Sequence, residues 1–153
     1  MKKISNVIET MNMHQRQGFV QFPVSLYEAK IKQELHACKN VLISEGENYL
    51  FLIDEMVSSF PGVDFIFEIR NKEIFNELKN NNPYKNLNIV EYETEIKIKN
   101  VNNDFDLIIS FPPMGGKLQR ENCNFISFYI EEAETEYLLQ FLNKKGKLIS
   151  LLP

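Results

Sequence analysis

The chain has 153 residues, and 44% of them are hydrophobic, which suffices for one globular domain with a buried core. Its net charge of −4 and its pI near 5.3 disfavour a broadly basic nucleic-acid surface, although a local basic patch or a basic partner chain could still contact phosphates. Apolar runs are too short for a membrane span, and Cys38 and Cys123 have neither metal-ligand spacing nor disulfide-scaffold density. We therefore expect one cytoplasmic domain without a metal site.

The domain is predicted to have two parts, an N-terminal helical segment over residues 1–38 and a core over residues 39–153. Residues 1–18 have only a weak amphipathic pattern. Ser25 and Glu28 have the spacing of a capping box, and apolar residues at helical spacing follow. The pattern predicts a helix that ends near Ala37.

Short apolar segments alternate with helical patterns through the core. The predicted strands are 40–44, 63–69, 87–92, 104–110 and 147–152. Helices are predicted over 50–60, after Asn71, and over 125–143, and alternation at Glu95 to Lys99 indicates a short hairpin arm. Such alternation predicts an α/β fold with a parallel, doubly wound sheet and right-handed crossovers.

The most unusual stretch follows the fourth strand. Phe105 to Ser110 leads directly into Phe111, two prolines, Met114 and two glycines. The prolines make a stiff, extended corner, and the glycines behind them permit unusual backbone conformations. In an open α/β sheet such a corner lies at the carboxyl edge of the strands, where ligands bind.

This stretch resembles the Asp-x-x-x-x-Asn-Pro-Pro-aromatic motif of the S-adenosylmethionine-dependent N6-adenine DNA methyltransferases, particularly the modification subunits of type I restriction systems. In that family the Asn and a corner carbonyl bind the adenine amine, and the aromatic residue stacks on the flipped base. The resemblance places Phe111, Pro112, Pro113 and Met114 at the positions of this catalytic motif. It also implies a Rossmann-like methyltransferase fold with strand order 3-2-1-4-5.

Two further segments resemble those that contact the cofactor in this family. Residues 18–23, GFVQFP, resemble the Gly-x-Phe-x-Thr-Pro segment, with Phe22 in place of the threonine before Pro23. In the loop after the first strand only Gly46 remains, because Tyr49 and two neighbours occupy the other glycine positions. The resemblance implies that S-adenosylmethionine, if it binds, contacts Phe22, Pro23, Gly46 and Ser110.

Glu68 closes the second strand, 22 residues after Gly46. An acidic residue at this place binds the ribose hydroxyls in Rossmann-type sites. An ordinary charged strand end beside Arg70 explains the residue equally well, so both interpretations stay open.

The replaced groups favour a degenerate methyltransferase-like domain that acts in scaffolding or interaction. Each lost hydrogen bond that leaves a partner unpaired costs about 1 to 3 kcal/mol, so several losses would remove most cofactor affinity. The alternative is an active DNA adenine methyltransferase with an atypical site that uses Glu68 and the corner carbonyls. An unrelated receiver-like fold is disfavoured because Ile43 and Ser44, not an acidic pair, close the first strand.

The resemblance also bears on partners, since the family's sheet has two more strands after the fifth. It predicts a truncated domain that lacks these two strands and whose fifth strand would be a hydrophobic edge. We therefore expect a further protein segment or subunit to cover that strand. DNA contact is expected only through a larger assembly.

Overall fold

The computed structural model describes residue 4 and residues 22–93, 104–112 and 129–151. These ranges contain one parallel sheet with the order β3-β2-β1-β4-β5. Its strands are β1 (Asn40–Ile43), β2 (Asp64–Ile69), β3 (Leu87–Glu91), β4 (Phe105–Ser110) and β5 (Leu142–Ser150). The predicted fold class and strand order are confirmed.

The prediction that the sheet lacks two strands is wrong. The five described strands pair in unbroken order, and the two central pairings, β1 with β2 and β1 with β4, unite the two halves of the sheet. The fold is therefore established without the two additional strands.

The helices lie on both faces of the sheet. They are α1 (Val24 to Leu35), α2 (Ile53–Ser59), α3 (Lys72–Asn81) and α4 (Ile130–Leu139). Alternating strand residues show the two faces, since Val41 and Ile43 join the larger apolar cluster with α1, α2 and α3, whereas Leu42 joins a smaller cluster with Leu138 of α4. In the ranges that the structure describes, every helix is too short or too polar to cross a membrane.

Helix α1 differs from its prediction at its start. Its central segment, Tyr27–Ile31, is π-helical, between α-helical turns at Val24–Leu26 and Lys32–Leu35. The helix begins after Pro23, without a side-chain cap, so Ser25 lies inside the first turn and the predicted capping box is wrong. Asn71, by contrast, caps α3 as predicted, since its side chain accepts hydrogen bonds from two backbone N–H groups of the first turn.

The end of the chain differs more. Helix α4 ends at Leu139, before the predicted end at residue 143, and β5 begins at Leu142, before the predicted start at residue 147. Gly146 makes this longer strand possible, because a Cβ there would lie 2.6 Å from the carbonyl oxygen of Phe105, where the β4–β5 register is irregular. In the described part of the predicted helix over 125–143, only Ile130–Leu139 is helical, and Tyr129 directly before it is 45% exposed.

Asp106, the first residue of the methyltransferase-like motif, lies near the amino end of β4, away from the Pro-Pro corner. One carboxylate oxygen accepts backbone hydrogen bonds from Lys39 at 2.6 Å and Asn40 at 3.0 Å, and the other accepts one from the Asn143 amide at 2.6 Å. Burial acts to raise the pKa of Asp106, but these donors hold it below its usual value. Asp106 thus joins the starts of β1, β4 and β5.

We expect Asp106→Ala to lower the free energy of unfolding by about 1 to 3 kcal/mol, because three donors lose a charged acceptor. Asp104→Ala removes an exposed carboxylate two residues away and should change stability little. Since the folded pKa of Asp106 is lowered, its contribution is present at neutral pH and is lost as the pH falls through that pKa. Urea denaturation at neutral and acidic pH checks both statements; equal losses for the two variants would contradict them.

Candidate functional site

Three segments that the sequence placed around a ligand meet beyond the ends of β1 and β4. The ring of Phe22 stacks on that of Tyr49 with centroids 4.7 Å apart, and meets the Phe111 ring edge-on at 5.9 Å. The Phe22 N–H donates to the Asn48 carbonyl at 2.7 Å, and the Asn48 amide donates to the Phe111 carbonyl at 3.3 Å. All three rings are buried. We call Phe22, Tyr49 and Phe111 the aromatic cluster.

The loop after β1 is a short 3-10 helix, Gly46–Tyr49, entered through a left-handed residue, Glu45, with φ 55°. Gly46 packs tightly on β2: a Cβ would lie 2.8 Å from Ile69 Cδ1 and 3.1 Å from the Glu68 carbonyl oxygen. Packing of the loop on β2 therefore explains this glycine without a ligand.

Glu47, in the same loop, forms hydrogen bonds with the protein backbone. One of its carboxylate oxygens accepts backbone hydrogen bonds from Arg70 at 2.5 Å and Asn71 at 2.8 Å, directly before α3. Burial raises the pKa of Glu47, and these N–H donors oppose that rise. Glu47 thus fixes the loop after β1 to the turn after β2.

A second group of side chains fills the α4 side of the same edge. Arg70 donates to Glu45 and, at 2.5 Å, to Glu134 of α4, and its guanidinium lies 4.0 Å from the centroid of the Tyr92 ring. Glu134 is fully buried and also accepts hydrogen bonds from the hydroxyls of Ser44 and Tyr92. We call Ser44, Glu45, Arg70, Tyr92 and Glu134 the ionic cluster.

The ionic cluster connects four elements through buried charge. Burial raises the pKa of Glu134, while the charge of Arg70 and the hydrogen bonds from Ser44 and Tyr92 oppose that rise. The ends of β1, β2 and β3 are thereby held against α4.

Glu68 lies beside the ionic cluster and is also fully buried. Among the described residues, neither of its carboxylate oxygens has a hydrogen bond of normal geometry. Burial raises its pKa well above the usual value; the Tyr92 hydroxyl opposes this, and the charges of Glu134 and Glu47 add to it. Among the described residues, Glu68 is therefore a buried acid with no cation of its own and, at most, a poorly aligned contact with the Tyr92 hydroxyl.

The remaining predicted site residues are distributed unevenly. Ser110 is buried at the end of β4, and its hydroxyl has no partner among the described residues. Pro112 is buried and Pro23 is exposed, whereas Pro113 and Met114 lie outside the described residues, as does the predicted hairpin arm.

Sequence reasoning missed Asn48, Tyr92 and the role of Glu134. One signal was present for Glu134: it precedes Leu138 by four residues, so both lie on the same, buried face of α4.

No family model and no curated protein matches the sequence. Solved structures do match. A protein assigned as a caffeoyl-CoA O-methyltransferase from Staphylococcus aureus is 17% identical with a TM-score of 0.56, over 98% of this chain and 66% of that one. The S-adenosylhomocysteine-bound methyltransferase PaMTH1 from Podospora anserina is 12% identical with a TM-score of 0.57, over 96% and 59%. The chain has the Rossmann-like methyltransferase fold.

A protein assigned as an O-methyltransferase from Nostoc punctiforme is also similar, at 12% identity and a TM-score of 0.50, over 96% of this chain and 49% of that one. The present chain thus spans between half and two thirds of the length of these proteins. At such low identities the likeness concerns the fold. None of the three is described as acting on DNA, so the comparisons do not support specificity for adenine in DNA.

We expect Gly46→Ala to destabilise the protein by about 1 to 3 kcal/mol, because its new methyl group would overlap Ile69 and the backbone of β2. Gly62→Ala is the matched control: a Cβ there meets nothing within 4 Å, so its effect should be near zero or slightly stabilising. Thermal or urea unfolding of both variants measures the difference. A Gly46→Ala variant as stable as Gly62→Ala would contradict the packing role.

We expect Arg70→Met to cost about 3 to 5 kcal/mol, because it leaves the buried carboxylate of Glu134 without its cation. The double variant Arg70→Met/Glu134→Gln removes both charges and should recover at least half of that loss. A double-mutant cycle by urea denaturation measures the coupling. Additive effects would show that the two residues do not depend on each other.

Proposed function

We propose that this chain is a methyltransferase-fold domain that does not bind S-adenosylmethionine and acts in scaffolding or protein interaction. The aromatic cluster carries the proposal. In doubly wound sheets, ligands bind beyond the carboxyl ends of the strands, at the point where the strand order reverses. Here that point lies between β1 and β4. The rings of Phe22, Tyr49 and Phe111 fill that place. Asn48 forms hydrogen bonds with the backbone of both Phe22 and Phe111 and so connects two of the three residues.

A comparison of free energies supports the proposal that the cofactor does not bind. Exposing a buried aromatic side chain costs roughly 2 kcal/mol, so displacing three rings costs roughly 6 kcal/mol. Micromolar binding supplies only about 8 kcal/mol in total. A cofactor that had to open the aromatic cluster would retain little net affinity.

The acids of the loop after β1 support the same proposal. Glu45 pairs with Arg70, and Glu47 accepts two backbone N–H groups. Both carboxylates therefore form contacts within the domain that hold the loop after β1 in place.

A second candidate is an active S-adenosylmethionine-dependent methyltransferase with an atypical site. Glu68 favours it, because a buried carboxylate without a partner at the end of β2 is placed to accept hydrogen bonds from ribose hydroxyls. The S-adenosylhomocysteine-bound neighbour shows that this fold can hold the cofactor product. DNA adenine as its target rests on the Pro-Pro corner alone.

Partners form part of the proposal. Strand β5 pairs with β4 on one side, and most of its residues are half-exposed or exposed. A further protein segment or subunit along β5 would complete this edge. DNA would be reached only within such an assembly.

Isothermal titration calorimetry with S-adenosylmethionine and with S-adenosylhomocysteine tests the leading proposal. We expect no binding up to about 1 mM ligand, because entry requires opening the aromatic cluster. A micromolar dissociation constant would overturn the proposal.

Glu68→Ala serves as the comparison variant in the same titration. Binding by the native chain that this variant loses would support the second candidate. Incorporation of labelled methyl groups into DNA or small hydroxylated acceptors would then identify the substrate class.

A further inference from the structure

A row of polar side chains crosses the sheet on the face covered by α4. The register pairs Ile43 with Phe67 and with Ile109, so the next positions along, Glu68, Ser44 and Ser110, lie side by side, and Ser110 pairs with Ser150. All except Ser150 are fully buried. Only Ser44 has a hydrogen-bond partner among the described residues.

Glu68 is the critical member of this row. An ionised carboxylate buried without a hydrogen bond or a cation is very costly, so such a group stays neutral in the folded protein. Serine hydroxyls beside it offer no positive charge. Glu68 therefore holds its proton while this face of the sheet remains closed.

Among the described residues, the charged and titratable groups around Glu68 come from four segments. They are Glu134 of α4, Tyr92 after β3, Glu47 after β1, and Arg70 after β2. The one cation among these four is Arg70, which already donates to Glu45 and Glu134. Ionisation of Glu68 would thus add a negative charge opposite Glu134.

Helix α4 is the element that can relieve this repulsion. Strand β2 lies between β1 and β3 and is fixed by hydrogen bonds on both sides. Helix α4, in contrast, buries only Ala133, Glu134 and Leu138. Moving α4 away separates Glu68 from Glu134, at the cost of the contacts of Glu134 with Arg70, Ser44 and Tyr92. Moving β2 would break its pairing with both neighbouring strands.

We propose that docking of α4 on the sheet is linked to one proton on Glu68, so that α4 is held when Glu68 is neutral and released when it ionises. The linkage concerns the domain without a bound cofactor. Raising the pH would open the carboxyl edge of the sheet on the side of the ionic cluster.

The direction of the pH effect on α4 docking follows from the number of protons that each state binds. The docked state binds the proton more tightly than the undocked state, because burial and the charge of Glu134 on α4 both raise the pKa of Glu68. Docking is therefore unaffected by pH below the usual glutamate pKa. Above it, docking weakens as the pH rises, until the pKa of the docked state is passed.

Hydrogen exchange of the backbone amides tests the proposal. Protection factors of Ile130–Leu139, corrected for the intrinsic exchange rate, should fall as the pH rises above the usual glutamate pKa, by at most about tenfold per pH unit, the limit for one proton. Helix α3 in the same protein is the internal control and should not change in parallel.

Two substitutions distinguish the effect of Glu68 on α4 protection from that of another acidic residue. Glu68→Gln keeps the shape of the side chain but cannot ionise, so α4 protection should become independent of pH. Asp64→Asn removes an exposed carboxylate from the same strand and should keep the native pH dependence. Native α4 protection that does not vary with pH, or a Glu68→Gln variant that keeps the native slope, would overturn the proposal.

Carbon NMR of the Glu68 side-chain carboxyl in the native chain gives an answer even if Glu68→Gln fails to fold. We expect the signal of a neutral carboxylic acid at neutral pH. A titration at the usual glutamate pKa would refute the linkage.

Discussion

The carboxyl edge of this sheet depends on one guanidinium group. Arg70 donates to Glu45 in the loop after β1 and to Glu134 on α4, and it covers the ring of Tyr92 after β3. A buried ion pair adds net stability only when its remaining groups are also hydrogen-bonded, and Ser44 and Tyr92 meet that condition for Glu134. The edge that accepts ligands in other doubly wound sheets is here held together by internal contacts.

Two different physical effects close this edge from its two faces. On the side of α1 and α2, the aromatic cluster excludes water by apolar burial. On the side of α4, paired charges do so, and Glu68 is left among them without a partner of its own. The first effect is insensitive to pH, whereas the second responds to a proton.

Much of the fold could be predicted because parallel strands carry short, buried apolar runs. The strand order followed from the resemblance, and Asn71 was recognised by its local capping chemistry. The errors arose where tertiary packing overrides local pattern. The helical pattern continued to residue 143, yet pairing with β4 draws Leu142 and Asn143 into β5. Ser25 has capping chemistry but lies two residues after the N-cap, Pro23.

The candidate site was harder to predict, because its contacts join residues far apart in the chain. Replacement of ligand-binding groups at Phe22, Tyr49 and Phe111 was visible in the sequence, but their mutual stacking was not. Glu134 belonged to a run of acids that are normally solvated at the start of a helix. Only the fold shows that this one acid faces the sheet and meets Arg70.

Asp106 shows that a residue of a sequence motif can be explained by the fold alone. This residue opens the methyltransferase-like signature, yet its hydrogen bonds fasten the foot of the sheet, remote from any reacting group. Its hydrogen bonds serve the fold, so they are needed whether or not a chain with this sheet binds a cofactor. An activity should therefore be inferred from motif residues at the Pro-Pro corner, since residues at the amino ends of the strands indicate only the fold.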